Sequence, residues 1–183
     1  MNSFDASAYP QGLAEFLTVD KVAPLNEGTP NRDMVNALRS LDRTKAFSPH
    51  AISDTQMAAA CHSGLWLLHN FLDESHTISQ AIDNATGSFW HGIMHRREGD
   101  FSNAKYWFRR VGQHPVFATL AAAARESLPD KFPHDDEWDA FRFVDLCEAA
   151  VRGRSASSDA LQRISRLEWE LLFDYCFRNA ISQ

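Results

Sequence analysis

Apolar residues recur along most of this chain at intervals of three, four and seven, the period of an amphipathic α-helix. No segment alternates apolar and polar residues for long enough to predict a strand, and the chain has no Asn-Gly or Asp-Gly hairpin signal. We therefore predict an all-α fold, a single compact bundle of about seven to eight helices. The 183 residues are expected to form one domain, with a weakly structured arm over 1–28 and a functional core over 60–117.

Capping and breaking residues indicate where these helices begin and end. Thr29 before Pro30 is typical of a helix start, and Ser53 with Gln56 forms a capping-box pattern for a long central helix. Gly99 is expected to end one helix and Asp100 to cap the next. The predicted helices span about 11–22, 30–41, 54–83, 88–97, 101–111, 115–127, 136–152 and 159–180.

The composition narrows the class of protein. Hydrophobic residues make up 44% and charged residues 23%, the balance of a globular protein, and the net charge of −6 argues against binding to nucleic acid or to an anionic membrane. The longest apolar window, Met57 to Leu72, is too short and too polar to cross a bilayer. The sequence does not predict the oligomeric state.

The cysteines bear on the compartment. Cys61, Cys147 and Cys176 are odd in number and far apart, and each lies in an apolar helical context, so they are expected to be reduced core residues. The first residues also lack the charged-then-apolar pattern of a secretory signal. Together these features predict a cytoplasmic protein.

The histidines are the most informative polar residues, because six of the eight lie between His62 and His114. His62, His69 and His76 are seven apart, and Asp73 is four after His69 and three before His76. These offsets return to one face of a helix. They predict a row of imidazoles and a carboxylate along one side of the 54–83 helix, as either a solvated face or the wall of a polar cavity.

A second helix repeats the pattern with a shorter spacing. His91 and His95 are four apart and Glu98 follows three later, so all three share a face. Two such histidines can bind one metal ion, but Gly92 stands where a zincin of the HExxH type has its glutamate, which excludes that class.

Other metal arrangements remain open. A di-iron bundle is disfavoured because the chain has no pair of Glu-x-x-His motifs. A mononuclear site with two or three histidines and a carboxylate fits better, for a divalent transition metal such as Zn, Fe or Mn. The candidate metal ligands are His69, Asp73, His76, His91 and His95, and the candidate catalytic residues are His95 and Glu98.

Basic residues close to these histidines suggest a ligand. Arginine binds carboxylates and phosphates through two parallel hydrogen bonds, so a small anionic ligand is expected, with or without a metal, and a histidine could then act as acid or base. In the opposing interpretation the arginines form a structural network with Glu98 and Asp100. The candidate ligand-binding residues are Arg96, Arg97, Lys105, Tyr106, Arg109, Arg110 and His114.

The segment from Trp90 to Arg110, WHGIMHRREGDFSNAKYWFRR, resembles a helical family of uncharacterised microbial proteins, and residues 72–80 share the pattern. The resemblance covers roughly residues 60–117 and implies no particular activity. Two functional hypotheses follow from the residues themselves. One is a metal-dependent enzyme or binding protein with a His/carboxylate/Arg pocket for a small anion. The alternative is a non-catalytic module that binds a partner protein, with a structural His/Arg network.

Overall fold

The computed structural model describes residues 4–19, 23–132, 137–154 and 157–182, and every element of regular secondary structure within them is a helix. Two short 3-10 helices, Ala6–Ala8 and Arg32–Met34, accompany the α-helices, and the only bridge between extended residues in the described ranges joins Ile52 to Ile181. The predicted all-α bundle is confirmed. The α-helices are α1 Gln11–Ala14, α2 Val35–Arg39, α3 Arg43–Ala46, α4 Thr55–Leu68, α5 Leu72–Ser79, α6 Ala85–Glu98, α7 Phe101–Val111, α8 Phe117–Ser127, α9 Ala140–Val151 and α10 Ser158–Ala180.

The N-terminal third differs most from the predicted elements. The helix expected over 11–22 is reduced to the short α1, with 20–22 outside the described residues, and the helix expected from Pro30 begins only at Arg32. The short α3, capped by the Asp42 side chain, has no counterpart among the predicted helices. The segment before residue 28 nevertheless contributes buried side chains to the core, namely Leu13, Phe16, Leu17 and Leu25.

The prediction of one long central helix over 54–83 is wrong, because the helix is interrupted at Asn70 and the segment forms two helices, α4 and α5. This residue adopts a left-handed conformation with φ 63°, which asparagine tolerates better than most residues. Helix α5 then folds back onto α4, where the Ser63 hydroxyl donates to the Ser75 carbonyl at 2.9 Å. The predicted row of His62, His69 and His76 on one helix face therefore does not exist.

Helix α6 lies at the centre of the bundle, with twelve of its fourteen residues buried. Glycines permit this close packing: a Cβ on Gly64 of α4 would meet the Trp90 ring at 2.8 Å, and one on Gly92 would meet the Phe108 ring at 3.1 Å. Gly99 ends the helix in a left-handed conformation, and the Asp100 side chain caps α7, both as predicted.

The C-terminal helices complete the bundle. Helix α10 packs on α4, where the Trp169 indole donates to the Gly64 carbonyl at 2.8 Å. Helix α9 begins after Asp139, whose side chain caps it, and the caps predicted at Asp135 or Asp136 lie outside the described residues. Across the described ranges, none of the helices combines the length and the apolar character that crossing a bilayer requires.

Candidate metal centre

Three of the five predicted metal ligands meet between α5 and α6. His76 comes from α5, while His91 and His95 lie one turn apart on α6, and one ring nitrogen of each lies within 4.8 Å of the others. The ring centroids are 4.4 Å apart for His76 and His91, 4.7 Å for His91 and His95, and 5.4 Å for His76 and His95. We call these three residues the histidine cluster.

His91 is the innermost member of the histidine cluster, with 2% of its surface exposed. Its Nδ1 lies 3.3 Å from the Ser79 hydroxyl of α5, and the Trp107 ring of α7 covers it with centroids 3.9 Å apart. Burial, with smaller contributions from the charges of His95 and His76, lowers the pKa of His91 to about 3. The imidazole is therefore neutral near pH 7, the form that can donate a lone pair to a metal ion.

His95 is held by groups on both sides of its ring. Its Nδ1 lies 2.5 Å from the Glu98 carboxylate, and its Nε2 lies 3.1 Å from the Asn103 amide nitrogen of α7. Because a carboxylate can only accept, Nδ1–H donates to Glu98, which fixes the tautomer and the ring orientation. Nε2 is then the nitrogen left to bind a metal ion, and the Asn103 amide that now donates to it would have to move aside. The predicted catalytic pair, His95 and Glu98, is thus in direct contact.

His76 contributes a less constrained ring. It is half-buried, and among the described residues its imidazole makes ring contacts only with the other two members of the histidine cluster and forms no hydrogen bond. Its nitrogens therefore remain available to a ligand.

The other two predicted metal ligands lie elsewhere. Both nitrogens of the buried His69 are occupied, since Nε2 lies 2.9 Å from the Phe16 carbonyl and Nδ1 lies 3.2 Å from the Asn31 amide. His69 thereby ties the N-terminal segment to the end of α4. Asp73 is exposed at the start of α5 and is not part of the histidine cluster.

The two arginines predicted to bind a ligand from α6 are both buried. The Arg96 guanidinium pairs with both carboxylate oxygens of Glu168 on α10 and stacks 4.6 Å from the Phe143 ring centroid. Arg97 donates to backbone carbonyls at the end of α4 and in the N-terminal segment, including the Leu67 carbonyl at 2.7 Å. The interpretation as a structural network therefore describes Arg96, although its partner is Glu168 and not Glu98.

The remaining predicted ligand residues are dispersed. Lys105 pairs with Asp145, and the Arg109 guanidinium lies 5.6 Å from the Phe141 ring centroid, so both join α7 to α9. Tyr106, the next residue after Lys105, is 48% exposed. The structure does not assemble them into one site with the histidines.

Arg110, near the end of α7, and His114, just after it, lie in different surroundings. Arg110 lies 3.6 Å from Asp83 and 5.1 Å from the Trp107 ring centroid, at the outer side of the histidine cluster. His114 is buried, with its Nε2 3.3 Å from the Thr86 hydroxyl and its Nδ1 accepting from the Val116 N–H. Of the predicted ligand residues, Arg110 and Tyr106 reach the surroundings of the histidine cluster, since both contact the Trp107 ring.

Three residues next to the histidine cluster are absent from the predicted site: Ser79, Asn103 and Trp107. A signal was present for each, because Ser79 follows His76 by three and Asn103 and Trp107 are four apart, so each shares a helix face. Only the packing of α5 and α7 against α6 shows that these faces cover the histidines.

No family model matches the chain, and comparisons with curated proteins and with solved structures found no significant match. The resemblance of residues 60–117 to a microbial helical family therefore stays a prediction.

Proposed function

We propose that the protein binds a divalent transition-metal ion through His76, His91 and His95. The observation that carries this proposal is the convergence of three imidazole nitrogens, from two helices, within 4.8 Å of one another. Imidazole nitrogens bind zinc at about 2.0–2.1 Å, so nitrogens around one ion lie about 3.3 Å apart, which small side-chain adjustments would reach.

The three imidazole ligands narrow the choice of metal ion and indicate its role. Imidazole suits zinc and iron, whereas manganese prefers oxygen donors, so of the three predicted metals Zn²⁺ or Fe²⁺ fits better. Three protein ligands leave a coordination position for water or a small ligand, as catalytic sites do. Such an ion would supply Lewis acidity, and Glu98 would act by orienting the His95 ring. We therefore infer a metal-dependent enzyme or binding protein.

The test is the metal content of untagged protein purified without chelator, measured by plasma mass spectrometry after incubation with Zn²⁺ or Fe²⁺. We expect near-stoichiometric metal in the wild type and its loss in His76→Ala, His91→Ala and His95→Ala. His69→Gln is the matched control, because His69 is a predicted ligand that the fold holds elsewhere, and it should retain the metal. Wild-type protein that stays metal-free would overturn the proposal.

A second candidate function, partner-protein binding, has its own observation. Tyr106 on α7 is 48% exposed, and Phe141 and Val151 on α9 are 37% and 44% exposed. Exposed aromatic residues with neighbouring arginine are enriched at interfaces. If this surface binds a partner, a Tyr106→Ser/Phe141→Ser variant should lose a crosslinked partner that His91→Ala retains.

We further propose a cytoplasmic location. All three cysteines are free and buried, and burial raises the pKa of Cys147 to about 12. Thiols of this kind persist in a reducing compartment. Fractionation of cells that express the chain, with detection in the cytoplasmic fraction, is the check.

A further inference from the structure

A cavity of about 290 Å³ lies on the side of α6 away from the histidine cluster, between the end of α4, α10 and the N-terminal segment. Its size is close to the lower end of the range for small-molecule sites, about 300–1,000 Å³. One wall of the cavity is apolar and is formed by Leu67, Leu68, Ile93 and Trp169. Arg97 also lines the cavity. Ile93 and Arg97 each follow a cluster histidine by two residues, which is about 200° around the helix, so the two sites lie on different sides of α6.

Arg97 is buried, and none of the described residues supplies a counter-charge to it. Its 4% exposed side chain donates to the carbonyls of Asn26, Leu67 and Glu27 and to the Asn70 side-chain oxygen, and every one of these acceptors is neutral. A guanidinium has five N–H donors, so one donor on Nη1 has no acceptor among the described residues. Burial, followed by the nearby charge of Arg96, lowers the pKa of Arg97 to about 9, and the group stays charged near pH 7.

The described groups around the cavity do not supply the missing negative charge. Arg166 also lines it and is itself paired with Glu170 at 2.8 Å, while the neighbouring Arg96 is neutralised by Glu168. No carboxylate side chain is among the described residues that line the cavity. Buried charges in proteins are ordinarily paired, so the described lining of the cavity carries an excess positive charge that a bound anion would balance.

We propose that this cavity is a second binding site, for a small carboxylate with an apolar body. The carboxylate would accept from the free Nη1–H of Arg97, and the apolar body would lie against Ile93, Leu68 and the Trp169 ring. A carboxylic acid of about six to eight carbons suits a cavity close to the lower end of the range for small-molecule sites. The site is independent of the proposed metal ion, since the two lie on different sides of α6.

The experiment is a titration of the full chain with sodium octanoate, followed by calorimetry and by the change in melting temperature, with octanamide as the uncharged probe of the same shape. We expect octanoate to bind in the millimolar range or tighter and to raise the melting temperature, and octanamide to bind at least about tenfold more weakly. Leu68→Trp, which fills the cavity without touching the charge, should weaken octanoate binding by at least about tenfold.

Arg97→Lys keeps the charge but loses the planar fork and should weaken octanoate about tenfold. If this variant fails to fold, Leu68→Trp still decides the result, with circular dichroism to confirm its fold. Equal binding of octanoate and octanamide, or octanoate binding that Leu68→Trp leaves unchanged, would overturn the proposal. So would a wild-type protein that binds neither probe.

Discussion

His76 and His91 are fifteen residues apart in the chain, yet their ring centroids are 4.4 Å apart. The chain reverses between α5 and α6, so a half-buried ring on the outer helix lies against a buried ring on the central helix. His95, one turn along α6, completes the cluster. The proposed metal site therefore depends on the packing of two helices and not on the spacing within either one.

Metal binding should stabilise the fold. A ligand that binds only the native state at about 100 times its dissociation constant adds about 2.7 kcal/mol to the free energy of unfolding. We expect Zn²⁺ to raise the melting temperature of the wild type and a chelator to reverse the rise, as measured by differential scanning fluorimetry. Zn²⁺ should not raise the melting temperature of His91→Ala. His69→Gln should melt at a lower temperature than the wild type without metal, but Zn²⁺ should raise its melting temperature by the same amount as in the wild type. An equal rise in His91→Ala would place the metal elsewhere.

The buried pair between Arg96 and Glu168 should be essential to the folded state. Glu168→Gln leaves the buried guanidinium without its counter-charge, and we expect a loss of about 3–5 kcal/mol in the free energy of unfolding, measured by urea denaturation. Glu170→Gln is the matched control, since it removes the partner of Arg166 on the same helix where the carboxylate is more accessible. A comparable loss in the free energy of unfolding in both variants would contradict the prediction that the buried pair contributes more to stability than the accessible pair.

Asn70 should be sensitive to its conformation as well as to its contacts. A non-glycine residue in the left-handed region costs about 1–2 kcal/mol, so Asn70→Ala should destabilise the protein more than Asn70→Gly by about 1 kcal/mol. Both variants lose the hydrogen bonds to the Thr29 carbonyl and from Arg97, so both should be less stable than the wild type. Chemical denaturation of the three proteins gives the comparison, and an alanine variant as stable as the glycine variant would argue against strain at the break.

Stability should fall in mild acid through His114. Burial lowers the pKa of His114 to about 4, whereas an unfolded histidine titrates near about 6.5. Above about pH 6.5 both states are neutral, and as the pH falls towards 4 the unfolded state binds the proton first, so folding loses stability over this window. Between about pH 7.5 and pH 5 the loss in the free energy of unfolding is about 2 kcal/mol.

The matched variant is His114→Gln, whose amide can accept from the Val116 N–H or reach the Thr86 hydroxyl but does not titrate. The difference in the free energy of unfolding between wild type and variant should shrink or reverse as the pH falls from about 7.5 to about 5. A difference that does not depend on pH would show that the pKa of His114 is the same in the folded and unfolded states, and an NMR titration of the His114 ring measures the folded-state pKa directly.

Local signals predicted much of the fold from the sequence alone. The period of apolar residues determined that the chain is helical. Local capping signals such as Asp100 correctly predicted where some helices begin or end. The i, i+4 spacing of His91 and His95 also placed two imidazoles on one face of α6, because the helical period alone decides which side chains share a face.

What the sequence could not decide depends on contacts between distant segments. The break at Asn70 is stabilised by Thr29 and Arg97, which local periodicity does not detect, so the pattern groups His69 with His76 although it in fact serves the N-terminal segment. Arg96 and Arg97 look alike in the sequence, but adjacent helical side chains point about 100° apart. Tertiary packing gave the first a carboxylate from α10 and left the second beside a cavity with no counter-charge among the described residues, because burial and pairing are properties of the assembled bundle.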